Sequence, residues 1–426
     1  MGHATAKDLY RELGDKIDGI VCRAPWNETL RAILKELYSE DEADLVVRMP
    51  GGLSSFPRLE RATGIPGEPL KARLEALCSK GLVMDLWVKD EYLYAPSPIV
   101  IGIFEFTMMR TQGHLNTKEW ARLFHEYMEG ESFWSANFGR GEKISILRAL
   151  PHEDAVPEGN VEVLDYEKAS AIVDAADRFA VGLCACRHEM THLGRKECDT
   201  PLETCTAFGM AADFLIRRGL AREISKTEMR ALFAASRDRR LVLCADNVRR
   251  NVSYVCHCCK CCCTALRGIS RHGYPNAVVT SGFIARVGGI ACTGCGRCVK
   301  ACPVNALRVV EKTPAVDESL CLGCGVCVLT CARKVLELKA RAQRVIPPEA
   351  IFEKVIRQAL EKGALQNLLF DDPASVGHRF LRGFVGGFLR LEPIKKALAS
   401  EGLRSAFLSA LKAGARWKGL GKVSEL

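Results

Sequence analysis

The sequence predicts a multidomain α+β protein, and three observations carry that prediction. The chain has 426 residues, 48% of them hydrophobic and 26% charged, which is enough apolar material for several cores and too much for disorder. Helical stripes and short strand-like runs follow one another along it. Of its 21 cysteines, 19 lie between Cys184 and Cys331, so a sulfur-dependent region sits in the middle.

The first 100 residues read as helices followed by a hairpin. Leu30, Ile33, Leu34 and Leu37 recur at helical spacing, and Ser54 to Thr63 forms a short unit ending at Gly64. Pro69 suits a first helical turn, Leu70, Leu74 and Leu77 make one apolar face, and Gly81 fits the position past the helix end. Leu82 to Tyr94 reads as two strands around Lys89-Asp90-Glu91. Helix, turn, helix and hairpin in this order resemble a winged helix-turn-helix module over 1–100. In such a module the helix Glu68 to Lys80 would read DNA, but Lys71, Arg73 and Lys80 against Glu68 and Glu75 give it a net charge of only +1. Protein docking or a structural role is therefore the expectation, with nucleic acid unlikely as a partner.

The region 101–270 reads as a cysteine-rich α/β segment. Trp120, Leu123, Phe124, Tyr127 and Met128 form a helical stripe, Glu142 to Leu150 a strand, and Ala169, Ile172, Val173, Ala176 and Phe179 a helix ending near Gly182. A further helix is expected over Thr206 to Arg218, closed by Gly219, then a capped helix start at Ser225 with Glu228, then a buried strand from Leu241 to Cys244.

The strongest motif is Cys292-x2-Cys295-x2-Cys298-x3-Cys302-Pro303, repeated at Cys321-x2-Cys324-x2-Cys327-x3-Cys331. Three thiolates two residues apart can curl over three corners of a cubane cluster in one turn, while the fourth must come from chain that has left it. The pattern resembles the bacterial dicluster ferredoxin domain, here over 283–340. That resemblance implies two [4Fe–4S] clusters, one held by Cys292, Cys295, Cys298 and Cys331, the other by Cys321, Cys324, Cys327 and Cys302. Ala332 stands where the pattern has a second proline.

Ten further cysteines fall in two groups. Cys184, Cys186, Cys198 and Cys205 can hold a third iron–sulfur cluster, with zinc on Cys184, Cys186, His188 and His192 as the rival. The run Cys256-His257-Cys258-Cys259-Lys260-Cys261-Cys262-Cys263 is too crowded for every thiol to face one metal. Cys258 and Cys259 are its tentative ligands, for a fourth cluster or one shared with the first group; thiols relaying electrons by disulfide chemistry are the other option. Cys258-Cys259 also resembles the adjacent-cysteine element of heterodisulfide reductase subunits, but Lys260 replaces its glycine and no activity is implied.

The remaining composition bounds the function. Met1 to Asp8 runs into charged residues with no apolar signal region, so the cysteines are expected to be reduced or metal-bound in a cytoplasm rather than paired in a secreted scaffold. The formal charge of +9 is concentrated after Ser375, where ten Lys or Arg oppose three Glu. The segment 345–426 reads as a helical basic tail. Within it Phe380, Leu381, Phe384, Val385, Phe388 and Leu389 recur at helical spacing among Arg379, Arg382 and Arg390, a pattern for protein docking or peripheral contact with an anionic membrane. No Gly-x-Gly-x-x-Gly follows a strand and no P-loop is present, so no catalytic residues are assigned. The chain reads as an electron carrier or electron-transfer subunit of an anaerobic redox complex, with a redox protein as donor and another as acceptor. A redox-sensing winged-helix transcription regulator is the alternative.

Overall fold

The computed structural model describes residues 8–113, 115–157, 163–289, 291–373, 375–389, 391–399 and 401–417. The chain start read for an export signal (1–7) and Arg390 of the tail lie outside the described residues. The chain divides into two compact units, one formed by Met1–Arg140 with Ile351–Leu426, the other by Gly141–Ala350. Among the described residues no helix is long and apolar enough to cross a membrane.

In the first unit, helices Leu9–Asp18, Glu28–Leu37 and Glu40–Arg48 precede strand β1 (Ser54–Ser55) and helices Phe56–Thr63 and Gly67–Ser79. Leu30, Ile33, Leu34 and Leu37 are buried, as are Leu70, Leu74 and Leu77. Ser39 and Glu42 close a reciprocal capping box at Glu40–Arg48. Strands β2 (Val83–Val88) and β3 (Glu91–Pro96) form an antiparallel hairpin, with β1 on the other side of β3. Gly81 turns the chain into that hairpin with φ of 74°, and a Cβ there would stand 2.3 Å from Cβ of Phe106. The later helix Ile351–Glu361 packs Ile356, Ala359 and Leu360 with Leu365 and Leu389, and Asp371 pairs with Arg58 at 2.6 Å. On the tail helix Val376–Leu389, Phe380 is 71% exposed and Phe384 73%.

The second unit is built on a sheet whose described strands are β4 (Leu147–Leu150), β5 (Phe179–Leu183), β6 (Glu203–Phe208), β7 (Ala221–Glu223), β8 (Val242–Asp246), β9 (Tyr254–Cys258) and β10 (Val278–Val279). Their order is β10-β4-β8-β9-β6-β5-β7, and only the β10–β4 pairing is parallel. Leu150, Val181, Phe208, Leu243, Ala245 and Val255 pack one face against Ile172, Val173 and Met229 of helices Ala169–Ala175 and Lys226–Asp238. Side chains alternate along a strand, so the cysteines of β6, β8 and β9 point to the opposite face. Strands β11 (Phe283–Val287) and β14 (Leu336–Ala340) pair antiparallel, and β12 (Leu307–Val310) with β13 (Thr313–Val316) forms a hairpin.

Three element assignments differ from the sequence reading. The helix expected to run toward Gly182 stops at Ala175, and Gly182 lies inside β5. Thr206 lies in β6, and the helix there is Gly209–Arg217, still followed by Gly219 with φ of 65°. The strand expected from Glu142 begins only at Leu147. Strands β5, β6 and β8 are largely covered on both faces, and a short apolar run of that kind carries no period to separate it from a buried helix.

Candidate metal centres

Two turns of similar geometry present the two Cys-x2-Cys-x2-Cys runs. Gly294 and Gly296 have φ of 70° and 69°, and Gly323 and Gly325 have 68° and 83°. This left-handed backbone is open to glycine at no steric cost, and it lets the chain reverse between successive thiols. Each turn runs into a short helix, Arg297–Ala301 or Val326–Thr330, that carries the third cysteine and releases the fourth just past its end. Amides reach back to sulfur: Gly294 N–H donates to Cys292 Sγ at 3.4 Å, Ala306 to Cys302 Sγ at 3.2 Å and Val335 to Cys331 Sγ at 3.4 Å.

The fourth cysteine of the first run stands with the first three of the second. Cys302 lines a small cavity together with Cys321, Cys324 and Cys327. Cys331 and Cys292 both lie near enough to Cys298 for their charge to act on it. The first set is buried, with Cys302 6%, Cys321 and Cys324 7% and Cys327 8% exposed, whereas Cys295 of the second set is exposed. Burial accordingly pushes the Cys324, Cys327 and Cys302 thiols up, while the Arg297 amide pulls the Cys295 thiol down. A Cβ on Gly323 would sit 2.1 Å from the carbonyl oxygen of Phe283, so that turn has no room for a side chain. Eight soft thiol donors in two runs of four, with amides aimed at sulfur, fit iron–sulfur clusters.

The other cysteines gather differently from the grouping read in the sequence. Cys198 leaves the Cys184 group: it lies in the loop after helix Ala185–His192, with its Sγ 3.6 Å from that of Cys259. Cys259, Cys261 and Cys262 occupy the turn between β9 and helix Thr264–Ser270, with Sγ–Sγ distances of 3.8 Å for Cys261–Cys259 and 3.5 Å for Cys261–Cys262. Met190, Leu193 and Leu241 pack around these four.

A second group forms on the face of the sheet opposite the helix-packed core. Cys184 caps helix Ala185–His192 and hydrogen-bonds Cys186 in its first turn; Cys186 in turn meets Cys263, and Cys263 meets Cys258. Cys258 also contacts Cys256 and Cys244. Register supplies the rest, because Cys205 on β6 and Cys244 on β8 both stand opposite Cys256 on β9. Cys244, Cys256, Cys261, Cys262 and Cys263 are the participants that sequence spacing did not single out. The available signal was the alternation Cys256, Cys258 against Val255, His257 along one strand. His257 is on the other face, its Nδ1 2.6 Å from Ser236 Oγ and its Nε2 3.2 Å from Thr206 Oγ1. His188 and His192 pair with each other, Nε2 to Nε2 at 2.9 Å.

Each thiol group contains one acidic member. Hydrogen bonding from Cys262, then the charge of Arg187, brings the Cys259 thiol down to about 5, and hydrogen bonds from Cys184 and Cys263 lower Cys186. The donors Cys184, Cys262 and Cys263 are raised correspondingly. Arg187 is fully buried between the groups, donating to Thr204 Oγ1 and to the His257 carbonyl. Its charge acts on Cys184, Cys259 and Cys258.

Residues 291–343 match the family model of the 4Fe-4S dicluster domain. The chain matches no curated protein and no solved structure. All eight cysteines of the two runs lie within the matched residues, while both additional thiol groups lie outside them. Lys260, exposed in the Cys259–Cys262 turn, lies near enough to the dicluster domain for its charge to act on Cys302.

Proposed function

We propose that the chain is an iron–sulfur electron-transfer protein that passes single electrons between a redox enzyme and an acceptor, as a subunit or partner of a larger redox complex. The observation that carries this reading is that Cys302, the fourth cysteine of the first run, lines one cavity with Cys321, Cys324 and Cys327 of the second. Cys292, Cys295, Cys298 and Cys331 would hold one [4Fe–4S] cluster, and Cys321, Cys324, Cys327 and Cys302 the other. When bound, such clusters supply reversible one-electron chemistry.

The chain's own residues divide the work between the sets. The Cys302 set is buried and keeps water away from its thiols; the Cys295 set opens to the surface. Exposed Arg297 and Lys300 flank Cys298, and exposed Arg333 and Lys334 follow Cys331. A basic rim around the open set supports a partner with an acidic docking surface. The exposed Phe380 and Phe384 of the tail offer the complex an additional apolar face.

Anaerobically purified protein is expected to carry at least about eight iron, four per cluster, and to show reduced-cluster EPR signals. A redox titration should follow one-electron steps. Iron near zero, with zinc filling the dicluster sites, overturns the proposal.

A further inference from the structure

We propose that Cys198, Cys259, Cys261 and Cys262 form a structural site for one tetrahedrally coordinated zinc ion. The site is independent of the electron-transfer reading, since none of its ligands lies in the dicluster domain.

The argument begins with spacing. The four sulfur atoms all lie within 4.8 Å of one another, with edges of 3.5, 3.6 and 3.8 Å. Four thiolates around one ion at about 2.3 Å form a tetrahedron with edges of about 3.8 Å. A cubane cluster instead puts each thiolate on a different iron, which spreads the four sulfurs further apart. The molecule contains that contrast itself: among the described residues, the eight dicluster cysteines form no group this tight. A disulfide needs sulfurs at about 2.05 Å, and all four cysteines are free.

The surroundings suit a closed site. Cys259 and Cys262 are buried, at 6% and 0% exposure, Cys198 and Cys261 are half-buried, and Met190, Leu193 and Leu241 pack around the group; four protein thiolates leave no open position of the kind a catalytic zinc keeps. Four thiolates on a divalent ion leave a net charge of −2. Buried Arg187 lies beside Cys259, and Lys196 Nζ donates to the Cys198 carbonyl, so cations meet that charge from both sides of the loop. An all-sulfur tetrahedron selects soft ions, and for a mononuclear site of this size zinc is the ion it fits. The ion would staple the loop at Cys198 to the turn after β9, two segments far apart in sequence.

The test uses the full chain purified anaerobically without added metal. Zinc, iron and acid-labile sulfide are counted per chain, and zinc K-edge X-ray absorption is recorded on the wild type. The expected result is about one zinc with four sulfur neighbours at about 2.3 Å. In Cys262→Ser, zinc should fall at least about tenfold while iron, sulfide and the reduced-cluster EPR signals stay at wild-type values. Wild-type protein without zinc, a shell containing nitrogen or oxygen, or one extra iron without extra sulfide would each overturn the proposal. So would loss of iron and sulfide in Cys262→Ser. The absorption spectrum needs no variant, so a poorly folding Cys262→Ser leaves the proposal open to refutation.

Discussion

Two neighbourhoods of the second unit are rich in sulfur, and they are assembled by opposite means. In the dicluster domain the cysteines of a run are delivered by local backbone, glycine turns at positive φ followed by a five-residue helix. On the sheet they are delivered by strand register and by loops: Cys205, Cys256 and Cys244 align across β6, β9 and β8, and Cys198 meets Cys259 through folding alone. In the first kind of site, the spacing of thiols within a run depends on a few residues near each thiol. The second depends on the whole sheet being in place.

The largest effect expected to sharpen this contrast comes from Cys302→Ser. It removes the crossing ligand of the buried set, so iron should fall from about eight to about four among the dicluster atoms, with the EPR of the other cluster retained. An unchanged iron count would break the crossed assignment. Gly323→Ala comes next: its Cβ would be 2.1 Å from the Phe283 carbonyl oxygen at a φ of 68°, so backbone has to move. A loss of about 2–4 kcal/mol is expected, read by thermal unfolding of the anaerobic protein. Gly296→Ala is the matched control, since its φ is 69° but a Cβ there meets nothing within 4 Å. Only the conformational cost remains, about 1 kcal/mol. Smallest of all is the effect of Cys256→Ser on the dicluster EPR signals, expected to be nil because register, not the dicluster turns, holds that thiol.

The same contrast explains what could be read from the sequence. Spacing located the eight dicluster cysteines because a tight turn fixes which neighbours can reach one cluster. Proximity along the chain groups Cys198 with Cys184, Cys186 and Cys205, but the helix Ala185–His192 and the loop after it carry it away to Cys259. Cys244 ends the buried strand expected from Leu241, and the β8–β9 register puts it opposite Cys256, where its side chain also meets Cys258. In the first unit the stripes Leu30 to Leu37 and Leu70 to Leu77 were legible because each is the buried face of one helix. Around Gly182 and Thr206 the pattern failed for the reason given by burial on both faces: the period disappears when there is no solvent side.

The seam between the dicluster turns and the sheet has a consequence for anyone who would transplant the module. His152 N–H donates to the Cys324 carbonyl at 3.0 Å, Ala155 packs so close to Gly325 that a Cβ would approach it to 2.7 Å, and Ser281 bonds both the Leu322 and Gly323 carbonyls. These groups all lie outside residues 291–343. A fragment cut at the family boundaries would leave those carbonyls without their donors and the buried set without its wall. The ferredoxin-like part of this chain is less a detachable cassette than an organ grown into its host.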